Sequence, residues 1–258
     1  MRIITCNVNG LRAAAGKGFI AWMVAQKPDV ACAQEIRARE IDLPPGVRAP
    51  KGYRGYFHAA QKRGYSGVAL YAKREPDRVV AGLDMPDFDV EGRYLRADFG
   101  KLSVASLYLP SAVKGPEAQV RKYDFMERFL GRLAAMRASR REFVICGDWN
   151  VAHREIDVKN WKKNLSTTGF LLPEREWLTR VFEEHGFVDV FRAIDPSPDR
   201  FTWWNQFGQA REKNLGWRID YQVATPGVAK TARKATIYND TWFSDHAPVV
   251  IDYDYKIA

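Results

Sequence analysis

The chain is short of cysteine and of uninterrupted apolar sequence, and each shortage narrows what it can be. Cys6, Cys32 and Cys146 are the whole cysteine complement of 258 residues. They lie in or beside apolar, strand-like runs without CxxC spacing or the even count of a disulfide framework, so buried reduced thiols are expected. No apolar stretch reaches the roughly 20 residues that cross a bilayer. Met1 leads straight into the strand-like RIITCNV, which leaves no room for a secretion signal. A reducing, cytoplasmic setting with no membrane partner is therefore the expectation. No Pro/Ser-rich linker, charge block, low-complexity tract or repeat of about 20–50 residues divides the chain, which reads as one domain over residues 1–258. Also missing are GxxxxGK[ST] and a GxGxxG after a strand, which disfavours nucleoside-triphosphate binding.

What is present is basic. Forty Lys and Arg against 31 Asp and Glu leave a net charge of +9. The cations fall in groups: Lys51/Arg54, Lys62/Arg63, Lys159/Lys162/Lys163, Arg211/Lys213/Arg218 and Arg233/Lys234. Such grouping suits a polyanion, although scattered charge that only keeps a protein in solution accounts for much of it.

Short β-rich runs recur at Arg2–Val8, Asp29–Gln34, Gly67–Ala72, Tyr94–Phe99, Leu102–Leu109, Glu142–Gly147, Ile219–Ala224 and Pro248–Tyr253. Several are apolar enough to be buried on both faces. Helical patterns are predicted at Lys17–Gln26, Pro116–Arg137 and Glu174–His185. The second places Val120, Tyr123, Met126, Leu130 and Leu133 on one face. So many apolar strands need more cover than three helices give a single sheet, which predicts two sheets packed face to face with helices outside.

The strand ends carry the chemistry. TCNVNG ends on Asn7 and Asn9, CAQE on Glu35, and SLYLPS presents Tyr108; ICGDWN presents Asp148 and Asn150, GWRIDY carries Asp220, and WFSDHAPV sets Asp245 and His246 before a strand. Taken singly, Asn-Gly and Ser-Asp are ordinary turn and cap chemistry. Together they are hard to ascribe to turns, and converging carboxylates repel unless a cation sits among them. A Glu/Asp oxygen set without Cys or HxxxH ligands favours a hard ion such as Mg²⁺ over zinc. With a basic surface, phosphoryl chemistry follows: a metal against phosphate oxygens, a carboxylate to orient water, and donors for developing charge.

These segments, in this order, resemble the exonuclease III family of apurinic/apyrimidinic endonucleases, within the wider endonuclease/exonuclease/phosphatase superfamily. The resemblance runs from NVNGLRA through QE, YLP, GDWNVAHREID, LPEREW and NLGWRIDY to SDHAPV. GDxN and SDHAPV mark only the superfamily; NGLRA, NVAHREID and GWRIDY are narrower. The resemblance implies an α/β four-layer sandwich, two mixed β-sheets packed face to face and flanked by helices. It implies Glu35 as principal metal ligand, with Asn7, Asp148, Asn150, Asp245 and His246 on or near the metal side and Mg²⁺, or Mn²⁺ in its place, as the ion. Asp148, helped by Asn150, would orient or deprotonate water; His246, held by Asp220, would contact the scissile phosphate, and Tyr108 would donate to it. Asn9 and Asn164 would contact substrate, and Trp203 and Trp217, with Phe207 and Ile219, would wall the abasic-sugar pocket.

Without the resemblance, three of the eight tryptophans within 15 residues (Trp203, Trp204, Trp217) would read as packing, and His153 reads as a structural hydrogen-bonder with it or without. Two departures stand out: Ile36-Arg37 follows Glu35 where many relatives have Thr-Lys, and Ser111 stands where Asn or Gln is frequent. The implied activity is hydrolysis of the phosphodiester 5′ to an abasic site, leaving a 3′-hydroxyl and a 5′-deoxyribose phosphate, with 3′→5′ exonuclease or 3′-phosphodiesterase activity besides. The implied partner is double-stranded DNA with abasic or blocked 3′ sites, met by a monomer. The alternative enzyme is a related metal-dependent phosphoesterase acting on non-specific DNA, an inositol phosphate or a phospholipid headgroup. A silent DNA-binding module would have shed Glu35, Asp148, Asp220 and His246.

Overall fold

In a computed structural model, which describes residues 1–257, two six-stranded sheets lie face to face. The strands are β1 Arg2–Asn7, β2 Val30–Gln34, β3 Arg54–His58, β4 Val68–Ala72, β5 Arg78–Ala81, β6 Tyr94–Phe99, β7 Leu102–Tyr108, β8 Glu142–Asp148, β9 Val188–Asp189, β10 Trp203–Trp204, β11 Gly216–Trp217, β12 Asp220–Ala224, β13 Ala232–Ile237 and β14 Val249–Tyr253. One sheet runs β13-β14-β1-β2-β4-β3, the other β5-β6-β7-β8-β12-β9, and β10 and β11 form a separate two-stranded ribbon. Each sheet has one parallel pair at its centre, β1/β2 and β7/β8, with antiparallel neighbours.

The eight interior strands expected from apolar runs are all present. The expectation misses β3, β5, β9 and β13, the edges of the two large sheets, and the two-residue ribbon strands β10 and β11. An edge strand is half solvated, so its sequence need not be continuously apolar, and ARKATI in β13 carries two adjacent exposed cations. The helix expected over Lys17–Gln26 is present as Phe19–Gln26, and a further, unexpected helix, Leu11–Gly16, precedes it, the two parted at Gly18, whose φ is +92°. The third helix spans Leu172–Thr179 and continues as a π-turn over Arg180–Glu184.

Three apolar interfaces hold four layers together. Ile3, Val30, Cys32, Val68 and Leu70 of one sheet pack on Leu95, Val104, Val144 and Cys146 of the other. Helices Leu11–Gly16 and Phe19–Gln26 cover the first sheet through Leu11, Phe19 and Met23. The long helix Pro116–Ala138 covers the second. It buries Phe125, Met126, Phe129, Leu130, Leu133 and Met136, together with Lys122, and leaves Val120 68% exposed, so the apolar stripe is rotated from the one expected. All three cysteines are free and buried.

This arrangement decides where the strand ends meet. The carboxyl ends of parallel β1 and β2 point to one edge, as do those of β7 and β8; β12 and β14 run antiparallel and begin there. Gly147, one residue before that edge in β8, shows how tight the packing is. A Cβ there would lie 1.9 Å from the Leu107 carbonyl oxygen of the adjacent strand. Gly147→Ala is therefore expected to cost about 3 kcal/mol, since the obstacle is backbone and cannot rotate away. A urea denaturation midpoint checks it; an unchanged midpoint would show that the strands can part.

Candidate active site

A cavity of about 600 Å³ opens at this edge, lined among others by Asn7, Asn9, Glu35, Tyr108, Asp148, Asn150, Asp245 and His246. Both sheets contribute. Asn7, at the end of β1, donates through Nδ2 to Glu35 Oε2 at 3.1 Å and to Asp148 Oδ2 at 2.9 Å. One amide thus joins carboxylates from opposite sheets. Asp148 also accepts from the Asn150 backbone at 2.8 Å, and Asn150 Nδ2 donates to the Leu109 carbonyl at 2.9 Å. Asn9 Nδ2 donates to Asp245 Oδ1 at 2.8 Å.

Asn9, Glu35 and Asn150 all have left-handed backbones, with φ of +44°, +54° and +51°. For Glu35 this conformation costs on the order of 1 kcal/mol. It is held by the Glu35 carbonyl accepting from Gly10 N at 2.8 Å and by Ile36 N donating to Gly67 O at 3.0 Å. The turn swings Glu35 out of strand alternation and into the cavity.

His246 Nδ1 lies 2.9 Å from Asp220 Oδ2, and His246 Nε2 is 3.9 Å from Asp148 Oδ2. Burial disfavours charge on this imidazole, yet the charge and hydrogen bond of Asp220, with Asp148 and Asp245 behind it, raise it to about 10. Burial lifts the Asp148 carboxyl to about 7; the His246 charge draws it down and Asp220 pushes it up. At Asp245 burial is outweighed by the His246 charge and by donation from Asn9 and Ser244, which hold the carboxyl below its ordinary value. Burial, then the charges of Glu35 and Asp148, keep the Tyr108 phenol well above its usual range and so protonated. Asp148, Asp220 and His246 each offer an atom within 4.8 Å of the others, a set able to hold a metal ion.

The apolar side of the cavity is built by β10 and β11. Trp203 pairs with Trp217 across the ribbon, their rings edge to face at 6.2 Å, and both line the cavity with Ile219. Phe207 does not join them. It is 82% exposed on the loop after β10 and stands outside the lining, so the expected four-residue wall loses one member. Asn164 also lies outside the lining. It spends its amide on the Asn160 carbonyl at 3.2 Å, closing its own turn. Ser111 does line the cavity.

Several cavity residues escaped the sequence reading. Arg37, noted there only as a departure, pairs with Glu35. Arg93 donates to the Tyr108 carbonyl at 3.0 Å and stacks 5.2 Å from its ring. Lys122 is buried, bonding the Asn150 carbonyl at 2.8 Å and Glu174 at 2.5 Å. No local pattern separates a buried helical lysine from a solvated one. Conversely, Arg218, grouped with the surface cations, is 1% exposed and bound to Asp157 and Asp189. His153 is neutral, lowered to about 4 by burial, and shares a 2.9 Å hydrogen bond with Thr179.

Comparison with known proteins places this geometry. Residues 4–246 match the model of the "Endonuclease/Exonuclease/phosphatase family". The chain is 37% identical over 253 residues to an exodeoxyribonuclease of Bacillus subtilis, covering 96% of this chain and 98% of the relative. It is 36% identical over 254 residues to the DNA repair nuclease APEX1 of Danio rerio, covering 97% and 81%. Among solved structures, an AP endonuclease from Archaeoglobus fulgidus superposes with a TM-score of 0.87 at 30% identity, covering 99% of this chain and all of that one.

The charge balance can be tested directly. His246 holds its proton more tightly folded than unfolded, so its contribution to stability is complete below about 6.5 and is lost as pH rises through about 10. In the metal-free protein, NMR of the His246 imidazole is expected to show a charged ring at pH 8. Asp220→Asn should lower its titration further than Asp148→Asn does, because Asp220 is the larger influence. A neutral ring at pH 8 in the wild type, or the reverse order in the variants, would contradict this account.

Proposed function

The chain belongs to the endonuclease/exonuclease/phosphatase family and is a DNA-repair nuclease of the AP endonuclease/exodeoxyribonuclease III type, and we propose that it hydrolyses the phosphodiester 5′ to an abasic site with the help of Mg²⁺. The observation that carries this reading is a single cavity shared by the acidic cluster and the two tryptophan faces.

The residues present fit a hard cation. Glu35 and Asp148 are all-oxygen donors on either side of one amide, and a carboxyl raised to about 7 by burial is short of positive charge. Arg37, on a long half-exposed stem, supplies part of that charge at Glu35 and has room to swing aside. His246 Nδ1 is already engaged by Asp220, which favours Glu35 and Asp148, with Asn7 and Asn150 beside them, as the principal donors. When bound, Mg²⁺ would neutralise phosphate oxygens and the charge that develops on them.

The chain's own groups divide the remaining work. Asp148, fixed by Asn7 and the Asn150 backbone, orients water and takes its proton. Charged His246 and the protonated Tyr108 phenol donate to the scissile phosphate, and Asp220 keeps the imidazole in place. A nucleotide without its base leaves the helix at least cost. The faces of Trp203 and Trp217 with Ile219 then accept bare deoxyribose and leave little room for a base.

Initial rates on a labelled abasic duplex and on an intact duplex with a recessed 3′ end, each with and without Mg²⁺, test the reading. Incision is expected to need Mg²⁺ and to be faster at the abasic site; a preference for intact ends would make the chain chiefly an exonuclease. Asp148→Asn and His246→Ala should each slow turnover about 10²–10³-fold with DNA binding nearly intact, because both act mainly in the transition state. Activity within tenfold of wild type in either would sink those roles. Trp203→Ala should lower the abasic-to-intact rate ratio more than it lowers hydrolysis of intact ends, and an unaltered ratio would remove the pocket from the account.

A further inference from the structure

The space between the two sheets is apolar except for one polar layer directly beneath the cavity. Thr5, Gln34, Ser106 and Gln222 are fully buried there, with Tyr253 nearly so. Gln34 Nε2 leaves the first sheet and donates to Ser106 Oγ of the second at 2.8 Å, while its Oε1 accepts from Thr5 Oγ1 at 3.1 Å. Ser106 Oγ in turn donates back across the gap to the Ala33 carbonyl at 3.1 Å. Gln222 reaches the other way. Its Nε2 donates to the carbonyls of Ile3 and Val249 at 3.0 and 3.3 Å, and its Oε1 accepts from Tyr253 at 2.9 Å.

The register of these residues ties them to the site. In the second sheet Tyr108, Asp148 and Asp220 stand side by side in one row, and Ser106, Cys146 and Gln222 form the row two residues below, on the same face. In the first sheet Gln34 stands beside Asn7 and immediately precedes Glu35, and Thr5 lies two residues below Asn7. Apolar contact between sheets is non-directional and tolerates a slide of one sheet on the other. Directional hydrogen bonds across the gap do not.

We infer that Gln34 and Gln222 are positioning residues for catalysis: two amide clamps, one from each sheet, that lock the sheet-to-sheet register so that Asn7, Glu35 and His246 from one side meet Tyr108, Asp148 and Asp220 from the other. Stability does not call for them, since replacing both partners of a buried hydrogen bond by apolar groups of similar shape is often nearly neutral. Alignment does, because a misplacement of about 1 Å at reacting groups can cost about 10²-fold in rate.

This inference rests on the nuclease reading of the cavity, and combined variants test it. Gln34→Met with Ser106→Ala and Thr5→Val, and Gln222→Met with Tyr253→Phe, remove each clamp without leaving a lone buried side-chain partner. Both are expected to unfold cooperatively within a few degrees of wild type, to keep KM for an abasic duplex within about threefold, and to lose at least about tenfold in kcat. In the second pair the His246 imidazole resonances should also move, a readout that needs no turnover. If a combined variant does not fold, Thr5→Val and Tyr253→Phe alone, each removing one bond at the rim of the layer, should still lower kcat about two- to fivefold at constant KM. Folded variants with wild-type kcat and superimposable His246 signals, or with a loss confined to KM, would overturn the inference. A wild type inactive on abasic DNA would instead overturn the function, and the His246 resonances would still decide whether the clamps align the site.

Discussion

The carboxylate of Asp148 is 2% exposed, faces Asp220 in the neighbouring strand, and lies within reach of Glu35 through a shared amide. Burying like charges together is among the costliest things a protein does, and the edge of the sandwich is organised around meeting that cost. Charged His246 sits between Asp220 and Asp148, Asn7 donates to two carboxylates at once, and Arg37 approaches Glu35 from the open side. Lys122 comes up from beneath and holds the Asn150 turn. The compensation is incomplete, as the raised Asp148 carboxyl shows. An incompletely compensated anion suits the metal site that Asp148, Asp220 and His246 could form.

That arrangement is possible only because two sheets present their ends at one edge. A single sheet would supply its carboxylates from one line of strands; here Asn7 and Glu35 come from one sheet and Tyr108, Asp148 and Asp220 from the other. Left-handed turns at Asn9, Glu35 and Asn150 redirect side chains that strict strand alternation would send elsewhere. The geometry of this edge therefore draws on packing deep in the sandwich, on the strands' close approach at Gly147 and on the polar layer between the sheets. The tryptophan ribbon adds the apolar wall and is itself anchored to the acidic half, since Trp203 Nε1 points at Asp245 Oδ2 at 3.4 Å.

Arg218 and Lys122 show how burial reassigns residues that look alike in one dimension. Arg218 sits in GWRIDY among apparent surface cations, but it fills the core beside Tyr221 and joins Asp157 to Asp189, bracing the link between β11, which carries Trp217, and β12, which carries Asp220. Lys122 reads as the solvated flank of an amphipathic helix, yet its ammonium meets Glu174 at the cavity floor. Phe207 makes the opposite excursion: a large aromatic beside two pocket tryptophans that ends 82% exposed.

From the sequence alone came the interior strands, because residues buried on both faces must be apolar throughout, and the polar strand ends, because nothing in a turn accounts for so many amides and carboxylates together. The α/β sandwich and the nuclease class followed from the motifs those ends compose. Only the tertiary structure decided the edge strands, whose half-solvated faces carry no continuous apolar signal, and the helix face that turns inward, where Lys122 replaces the expected Val120. It also decided which cations are buried, that Phe207 and Asn164 lie outside the cavity, and that Gln34 and Gln222 reach across the gap between the sheets. These are matters of which side chain faces which across separations such as 72 residues for Gln34 and Ser106 and 219 for Gln222 and Ile3, and neither hydrophobic period nor local spacing records that.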